Sequence, residues 1–281
     1  MTANVTAEAP IGIFDSGLGG LAVLREVRRL LPDEHVLFVG DTARQPYGPQ
    51  PVEDVRQYTI EITGYLARHG VKMVIIACNT ASVAGREAAQ RCFPELPVLG
   101  MIEPGVRAAL SISRGNRIGI LGTSITIRSK AYDQQIQQAD PTMAVLGATC
   151  PDLLRLAEKG KVDDRPLLLG LARRYFQPLA DSQIDTLILG CTDLTCVRDI
   201  IEEVAGRDVV VIDPAEEVVR EAHRILQNAG LLRPPGDDPP RTRFLITGDD
   251  LANFANFTAR FMGWFHVEID RISLKELEDV R

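Results

Sequence analysis

Two short apolar runs, each ending at a cysteine, set the strongest limit on how this chain can fold. Residues 74–82 read VIIACNTAS and residues 186–193 read TLILGCTD. Each run begins with the pattern of a buried strand and then changes abruptly to small polar residues. Because ligands of open α/β sheets bind beyond the carboxyl ends of the strands, the sequence predicts that Cys78 and Cys191 both lie at a functional site.

The bulk composition is that of an ordinary globular protein. The chain has 281 residues, 45% of them hydrophobic and 25% charged, which is enough for two domains. A net charge of −7 argues against nucleic-acid binding, because no basic surplus can neutralise phosphates. No apolar run approaches the ~20 residues of a membrane span, and the first ten residues do not resemble a signal peptide. We therefore expect a cytoplasmic protein without membrane contact.

The cysteine pattern favours free thiols. Five cysteines are an odd number in a long chain, and no Cys-x-x-Cys or closely spaced histidine pair indicates a metal site. We interpret Cys92, Cys150 and Cys196 as structural residues, because none of them shares the setting of Cys78 and Cys191. Taken singly, Cys78 or Cys191 could also be a small buried hydrophobe, but their repetition at equivalent points favours a functional role.

The chain alternates strand and helix patterns along most of its length. A glycine-containing loop at 15–20 follows the first strand, but the spacing Gly-x-Gly-x-x-Gly is absent, which argues against dinucleotide binding. The predicted strands cover 11–14, 35–40, 74–76, 97–101, 118–121, 186–189, 209–212, 243–247 and 267–272. The predicted helices cover 21–31, 55–69, 83–92, 166–180 and 215–229.

An Ile-Gly-Ile pattern opens two units of similar length, at 11–13 and at 118–120, and each unit contains one of the two cysteine-ending strands. This repetition predicts a duplicated α/β half, although Ile-Gly-Ile is common enough that coincidence is the alternative. The last predicted strands suggest that the chain returns to the first unit. We therefore expect an α/β protein with two pseudo-symmetric domains of mainly parallel sheets and an active site in the cleft between them. The first domain would comprise residues 1–103 plus 214–281, and the second residues 104–213.

Two thiols on related loops suit one kind of chemistry. Inverting a carbon centre requires a proton to leave one face and another to arrive at the opposite face, and one base cannot easily reach both. The unperturbed thiol pKa, about 8.5, can be lowered by a helix N-terminus or a nearby cation. General acid–base catalysis is most effective with groups whose pKa lies near the operating pH.

At this point the sequence resembles a known family. Taken together, its motifs resemble glutamate racemases of the cofactor-independent aspartate/glutamate racemase superfamily, over nearly the whole chain. The motifs are IFDSGLGG at 13–20, DTAR at 41–44 with PYG at 46–48, ACNTA at 77–81, Gly122-Thr123 with Thr126 and Ser129, Cys150-Pro151 with Glu158, and GCT at 190–192.

The resemblance implies an isomerase that interconverts L- and D-glutamate without pyridoxal phosphate, any other cofactor or a metal. Its product would supply D-glutamate for peptidoglycan, and so for the bacterial cell wall and cell shape. The implied partner is the small-molecule substrate, glutamate, and a homodimer is a possible assembly.

The resemblance also implies roles for individual residues. Cys78 and Cys191 would be the two acid/base groups, with Asp15, Glu158 and Asp193 assisting them. For Glu158 the alternative is a solvated charge in a Lys-Gly-Lys neighbourhood. The implied substrate-binding residues are Asp15, Ser16, Pro46, Tyr47, Gly48, Asn79, Thr80, Thr123, Thr126, Thr192 and Asp193.

One position departs from the family pattern. After Gly-Cys-Thr the family usually carries His-Tyr-Pro, whereas this chain has Asp193-Leu194-Thr195. A histidine can accept the thiol proton and then stabilise the thiolate, whereas a carboxylate can accept the proton but its charge raises the pKa of the thiol. Asp193 would then be a weaker assistant, or mark aspartate as the substrate, or mark a binding or regulatory module with impaired catalysis. No sequence argument lets another histidine replace the missing one; the candidates are His35, His69, His223 and His266.

Overall fold

A computed structural model describes residues 5–279 of the chain, which form two parallel β-sheets flanked by helices. The strands are β1 (Ile11–Asp15), β2 (Val36–Gly40), β3 (Met73–Ile76), β4 (Val98–Leu99), β5 (Arg117–Gly122), β6 (Ala144–Thr149), β7 (Thr186–Gly190), β8 (Val210–Ile212), β9 (Thr242–Ile246) and β10 (Ile269–Arg271). All of their pairings are parallel.

Helices connect nearly all of these strands. They are α1 (Leu21–Leu30), α2 (Val52–Arg68), α3 (Asn79–Cys92), α4 (Ile102–Ile112), α5 (Ser124–Arg128), α6 (Ala131–Ala139), α7 (Pro151–Glu158), α8 (Arg165–Asp181), a 3-10 helix (Thr192–Val197), α9 (Arg198–Ala205), α10 (Pro214–Ala229), α11 (Leu251–Met262) and α12 (Leu274–Glu278). Within residues 5–279, no helix is both long enough and apolar enough to cross a bilayer.

The two sheets repeat one strand order. The first sheet runs β10-β9-β2-β1-β3-β4 and the second runs β6-β5-β7-β8, so the first four strands of each unit follow the order second, first, third, fourth. Strands β3 and β7 therefore occupy equivalent positions, and Cys78 and Cys191 follow them. The predicted α/β fold with two mainly parallel sheets is confirmed. The domain boundaries at 103/104 and 213/214 stay a prediction, although β9 and β10 do join the first sheet.

Apolar side chains cover both faces of each sheet, as parallel sheets require. In β1, alternate residues point to opposite faces: Ile11 and Ile13 pack toward α1, α10 and α11, whereas Phe14 packs toward α2 and α3. The second sheet repeats this arrangement, with Ile118 and Ile120 facing α4 and α6 and Leu121 facing α7, α8 and α9. Full burial of one such side chain contributes about 1.5–3 kcal/mol to stability, so these layers stabilise both sheets.

Several predicted boundaries were wrong. The helix expected at 83–92 begins at Asn79, because Cys78 caps it: the Cys78 Sγ accepts a hydrogen bond from the Ala81 N–H at 3.5 Å. The strands expected at 97–101 and 267–272 are shorter, with two and three residues. Strand β6 was not predicted, because most of its side chains are partly or fully exposed. Cys150 therefore also follows a strand and precedes a helix, and its side chain is buried, as are those of Cys78 and Cys191. The prediction that Cys150 has a different setting was wrong in this respect.

Candidate active site

Cys78 stands at the carboxyl end of the first sheet, where the chain passes from β3 into α3. Its side chain is buried, and its S–H donates to the Ser16 Oγ at 3.7 Å. Burial, followed by the charge of Asp15, raises the pKa of this thiol to about 12. The Ala81 N–H acts in the opposite direction, as expected for a helix N-terminus, but burial outweighs it.

Cys191 occupies the equivalent place after β7, directly before the 3-10 helix. It is also buried, and its S–H donates to the Asp193 Oδ2 at 3.4 Å. Burial raises the pKa of Cys191 well above its usual value, and the charges of Asp193 and Cys78 raise it further. The effect of the Cys78 charge on Cys191 is consistent with the prediction that the two thiols lie at one site.

Asp15 links the two halves of this site. It ends β1, and its buried carboxylate accepts the Gly17 N–H at 2.9 Å and the Thr192 hydroxyl at 3.2 Å. Burial raises the pKa of Asp15, while these two hydrogen bonds lower it. The loop after β1 and the loop after β7 are thus joined through one carboxylate.

Gly19 lets the two loops approach each other. A Cβ added at Gly19 would lie 2.7 Å from the Thr192 Oγ1 and 2.8 Å from both the backbone nitrogen and the Oδ1 of Asp193. Only a residue without a side chain fits there. This is a function for the loop glycines that the sequence motif did not reveal.

Two further carboxyl groups influence the ionisation of this region, and one of them, Asp193, contacts Cys191. Burial raises the pKa of Asp193 well above its usual value, with the charges of Asp15 and Glu158 adding to the effect. Glu158, half-buried at the end of α7, has its pKa raised to about 7 by burial, and the charge of Asp15 also contributes. The site therefore holds three acidic groups that oppose one another's ionisation.

A chain of hydroxyl groups lies beside Cys78. The Thr80 Oγ1 is 2.9 Å from the Thr123 Oγ1, which in turn lies 3.0 Å from the Thr126 Oγ1. All three residues are buried. Thr80 follows a strand of the first sheet and the other two follow a strand of the second, so hydrogen bonds cross between the halves here as well.

The loop after β2 closes one side of this region. The buried Tyr47 hydroxyl donates to the Asp41 Oδ2, and Asp41 also pairs with Arg44. A Cβ added at Gly48 would lie 3.2 Å from the Thr123 Cβ, so this loop contacts the hydroxyl chain. Pro46 differs from its neighbours, because its side chain is exposed and its carbonyl accepts from the Gln50 Nε2 at 3.2 Å.

Asn79, which follows Cys78, is fully buried and takes part in a contact that the sequence did not predict. Its Oδ1 accepts a hydrogen bond from the Tyr132 hydroxyl at 2.8 Å. Tyr132 lies on α6 of the second half, and no motif singled it out. Within residues 5–279, no group of three or more His, Cys, Asp or Glu side chains is arranged to hold a metal ion.

The fold and the site define a class of α/β protein with two repeated units. Each unit places one thiol after its third strand, beside carboxyl and hydroxyl groups. Comparison with known proteins identifies the family. The sequence model of the Asp/Glu/Hydantoin racemase family matches residues 11–222, and the chain belongs to that family. The predicted resemblance and the predicted enzyme class, an isomerase, are confirmed.

The similarity to individual racemases extends over nearly the whole chain. A glutamate racemase from Geobacter metallireducens is 40% identical over 265 residues, covering 94% of this chain and 97% of the relative. The crystal structure of a glutamate racemase isoform from Bacillus anthracis is 35% identical, covers 95% of this chain and 98% of its own, and superimposes with a TM-score of 0.89. That of Francisella tularensis glutamate racemase in complex with D-glutamate is 30% identical, with the same two coverages and a TM-score of 0.87.

Proposed function

We propose that this protein interconverts L- and D-glutamate by a two-base mechanism with Cys78 and Cys191 as the acid/base groups, and that its D-glutamate is used for peptidoglycan. The observation that carries the proposal is the equivalence of the two thiols. Each follows the third strand of its own unit, and the hydrogen bond between Asp15 and Thr192 holds the two loops together.

In the proposed reaction the substrate Cα lies between the two sulfurs. One cysteine is a thiolate and takes the Cα proton, so that the C–H electron pair stays on carbon. The other cysteine is a thiol and delivers its proton to the opposite face, which leaves a thiolate there. The two cysteines exchange roles when the opposite enantiomer reacts, as general acid–base catalysis with positioned groups requires.

The thiolate has to be generated, because burial keeps both thiols protonated in the free protein. Asp193 is placed to accept the Cys191 proton, since its Oδ2 lies 3.4 Å from the Sγ. The raised pKa of Asp193 makes it a better acceptor. Once protonated it carries no charge, so it no longer opposes the thiolate. A carboxylate can therefore do part of the work of the family histidine.

The charge of the substrate assists this ionisation. Asp15, Glu158 and Asp193 make the site acidic, which suits the ammonium group of an amino acid. A cation close to a thiol lowers the pKa of that thiol. The substrate carboxylates would instead be held by the donors beside Cys78, which are the threonine hydroxyls and the Asn79 amide.

The enzyme is placed in the cytoplasm by this proposal, since all five cysteines are free thiols, as is usual in a reducing compartment. A homodimer stays a prediction.

A second candidate rests on Asp193, the acidic residue at the position of the family histidine. It favours aspartate as a competing substrate, or a binding module with impaired catalysis. Both alternatives are separated from glutamate racemisation by one assay.

The assay follows the optical rotation of L-glutamate and of L-aspartate with purified protein and no added cofactor. We expect the L-glutamate signal to decay to zero and aspartate to react at least about tenfold more slowly. Cys78→Ser should abolish the decay, and Cys92→Ser, at an exposed thiol outside the site, should not. Faster decay of aspartate would favour the aspartate alternative. No decay with either amino acid, together with intact binding, would favour the module.

A further inference from the structure

One buried donor of the site is left without an acceptor. The Asn79 side chain is 1% exposed, and its Nδ2 has no hydrogen-bond partner among the described residues, although its Oδ1 is bonded to Tyr132. A buried N–H group without a partner destabilises the folded protein, and each such group in a native structure requires an explanation. Because Asn79 directly follows Cys78, a bound substrate supplies one.

The chemistry of the substrate decides which group the Nδ2 can meet. A carboxamide nitrogen is only a donor, and an ammonium group is only a donor, so the two cannot pair. A carboxylate oxygen is an acceptor. The unpaired Nδ2 of Asn79 can therefore donate to a substrate carboxylate but cannot bind the substrate ammonium group.

Tyr132 is built to hold the amide in this orientation. Its ring is fully buried and lies against α4, where a Cβ added at Gly105 would be 3.2 Å from the Tyr132 Cε1 and 3.3 Å from its hydroxyl. Burial raises the pKa of Tyr132, as do the charges of Asp213 and Cys191, so its hydroxyl stays a neutral donor. A neutral hydroxyl donating to Oδ1 leaves the Nδ2 hydrogens pointing to the other side.

We propose that Tyr132 is a positioning residue, whose hydroxyl bond to the Asn79 Oδ1 fixes the amide so that the Nδ2 donates to a substrate carboxylate. The inference rests on the proposed function, because it requires an amino-acid substrate beside Cys78. In this proposal, Tyr132 of the second half of the protein orients Asn79, a substrate-binding residue of the first half. Tyr132 itself touches Asn79 and not the substrate.

The test measures D-glutamate binding by calorimetry, together with KM and kcat, for Tyr132→Phe, Asn79→Asp and a control. Tyr132→Phe keeps the ring and removes only the hydroxyl. We expect its Kd and KM to rise about tenfold with kcat within about twofold, the pattern of a lost ground-state contact. Asn79→Asp keeps an acceptor for Tyr132 but replaces the donor with a negative charge, and its Kd should rise more than about 100-fold. The control Tyr175→Phe removes a hydroxyl bond to Asp152 (2.6 Å) outside the site, and should change neither value.

Two results would overturn the inference. One is an unchanged Kd in folded Tyr132→Phe. The other is a Kd of Asn79→Asp for D-glutamate that equals or lies below that of the wild type. That result would mean that residue 79 accepts a hydrogen bond from the substrate ammonium group instead of donating one to a carboxylate. The second result would overturn the inference even if Tyr132→Phe does not fold. A wild-type protein that binds D-glutamate but does not racemise it would contradict the proposed function alone, because binding is measured separately.

Discussion

The Thr192 hydroxyl donates a hydrogen bond to the Asp15 carboxylate at 3.2 Å, although the two residues belong to different halves of the protein. Thr192 follows Cys191, and Asp15 precedes Ser16, whose hydroxyl contacts Cys78. This bond therefore connects the surroundings of the two thiols. Two-base chemistry requires such a connection, because both sulfurs must reach the same carbon.

The close approach of the two loops at Gly19 leads to the first prediction. In Gly19→Ala the new Cβ would lie less than 3 Å from Thr192 and from the Asp193 backbone, so the loops must separate. We expect racemisation to fall about 100-fold or more, because small displacements of catalytic groups are costly. The matched control is Gly170→Ala in α8, where no atom lies within 4 Å of the added Cβ. Thermal unfolding should show that the control is more stable by about 0.5–1 kcal/mol. Equal activity of the two variants would contradict the role of Gly19.

The second prediction concerns Asp193 as proton acceptor for Cys191. Asp193→Asn keeps the shape but cannot accept a proton, so racemisation should fall about 100-fold or more. Asp193→His restores a neutral acceptor and should retain or raise activity. The control is Asp181→Asn, because Asp181 lies on the surface and accepts a hydrogen bond from Gln177; its racemisation rate should equal that of the wild type. Initial rates measured from both enantiomers check this prediction. An Asp193→Asn variant as active as the wild type would remove Asp193 from the mechanism.

The third prediction concerns pH and Glu158. Its folded-state pKa is raised to about 7, above the unfolded value of about 4.3, so the folded protein holds this proton more tightly. The resulting stability is fully present below about pH 4.3 and is lost as the pH rises through 7. Between pH 4.3 and 8 the free energy of unfolding of the wild type should therefore fall by about 1 kcal/mol more than that of Glu158→Gln, after allowance for the partial exposure of the side chain.

Urea unfolding at several pH values measures this difference. Glu87→Gln, at an exposed side chain of α3, is the control and should follow the wild type. Parallel pH dependences for Glu158→Gln and the wild type would show that the carboxyl titrates as an ordinary surface group.

The fourth prediction separates stability from activity. Lys72 and Glu34 form a fully buried ion pair with 2.5 Å between Nζ and Oε2, and the Lys72 Nζ also donates to the Ala7 and Leu231 carbonyls. Lys72→Met leaves Glu34 buried without its partner, so the free energy of unfolding should fall by about 3–5 kcal/mol. At a temperature where the variant is folded, its KM should equal that of the wild type. Guanidinium unfolding and initial rates test both statements, and a raised KM would tie this ion pair to the site.

The sequence allowed the strands that carry the thiols to be predicted, because their apolar runs are short and end abruptly. Local patterns also predicted most of the longer helices, but the start of α3 was missed, because the cap is a cysteine and cysteine is not among the usual capping residues. The motifs placed Asp15, Asn79 and Thr123 at a site without saying what each one contacts.

Contacts between distant residues were not predictable in this way. Tyr132 lies on a short helix with no distinctive pattern and meets Asn79 only because the two halves pack together. The effect of burial on the thiols was likewise hidden, since a sequence shows the helix N-terminus at Cys78 but not the desolvation that outweighs it.

The central claim is that the two sulfurs act on opposite faces of one carbon, and racemisation in deuterated water tests it most directly. Starting from L-glutamate, early D-glutamate should carry solvent deuterium at Cα, while the remaining L-glutamate keeps its protium. In Cys191→Ala, which retains one base, racemisation should stop, whereas Cα exchange should continue with one enantiomer only. D-glutamate that forms with its original protium, or full racemisation by Cys191→Ala, would contradict the account.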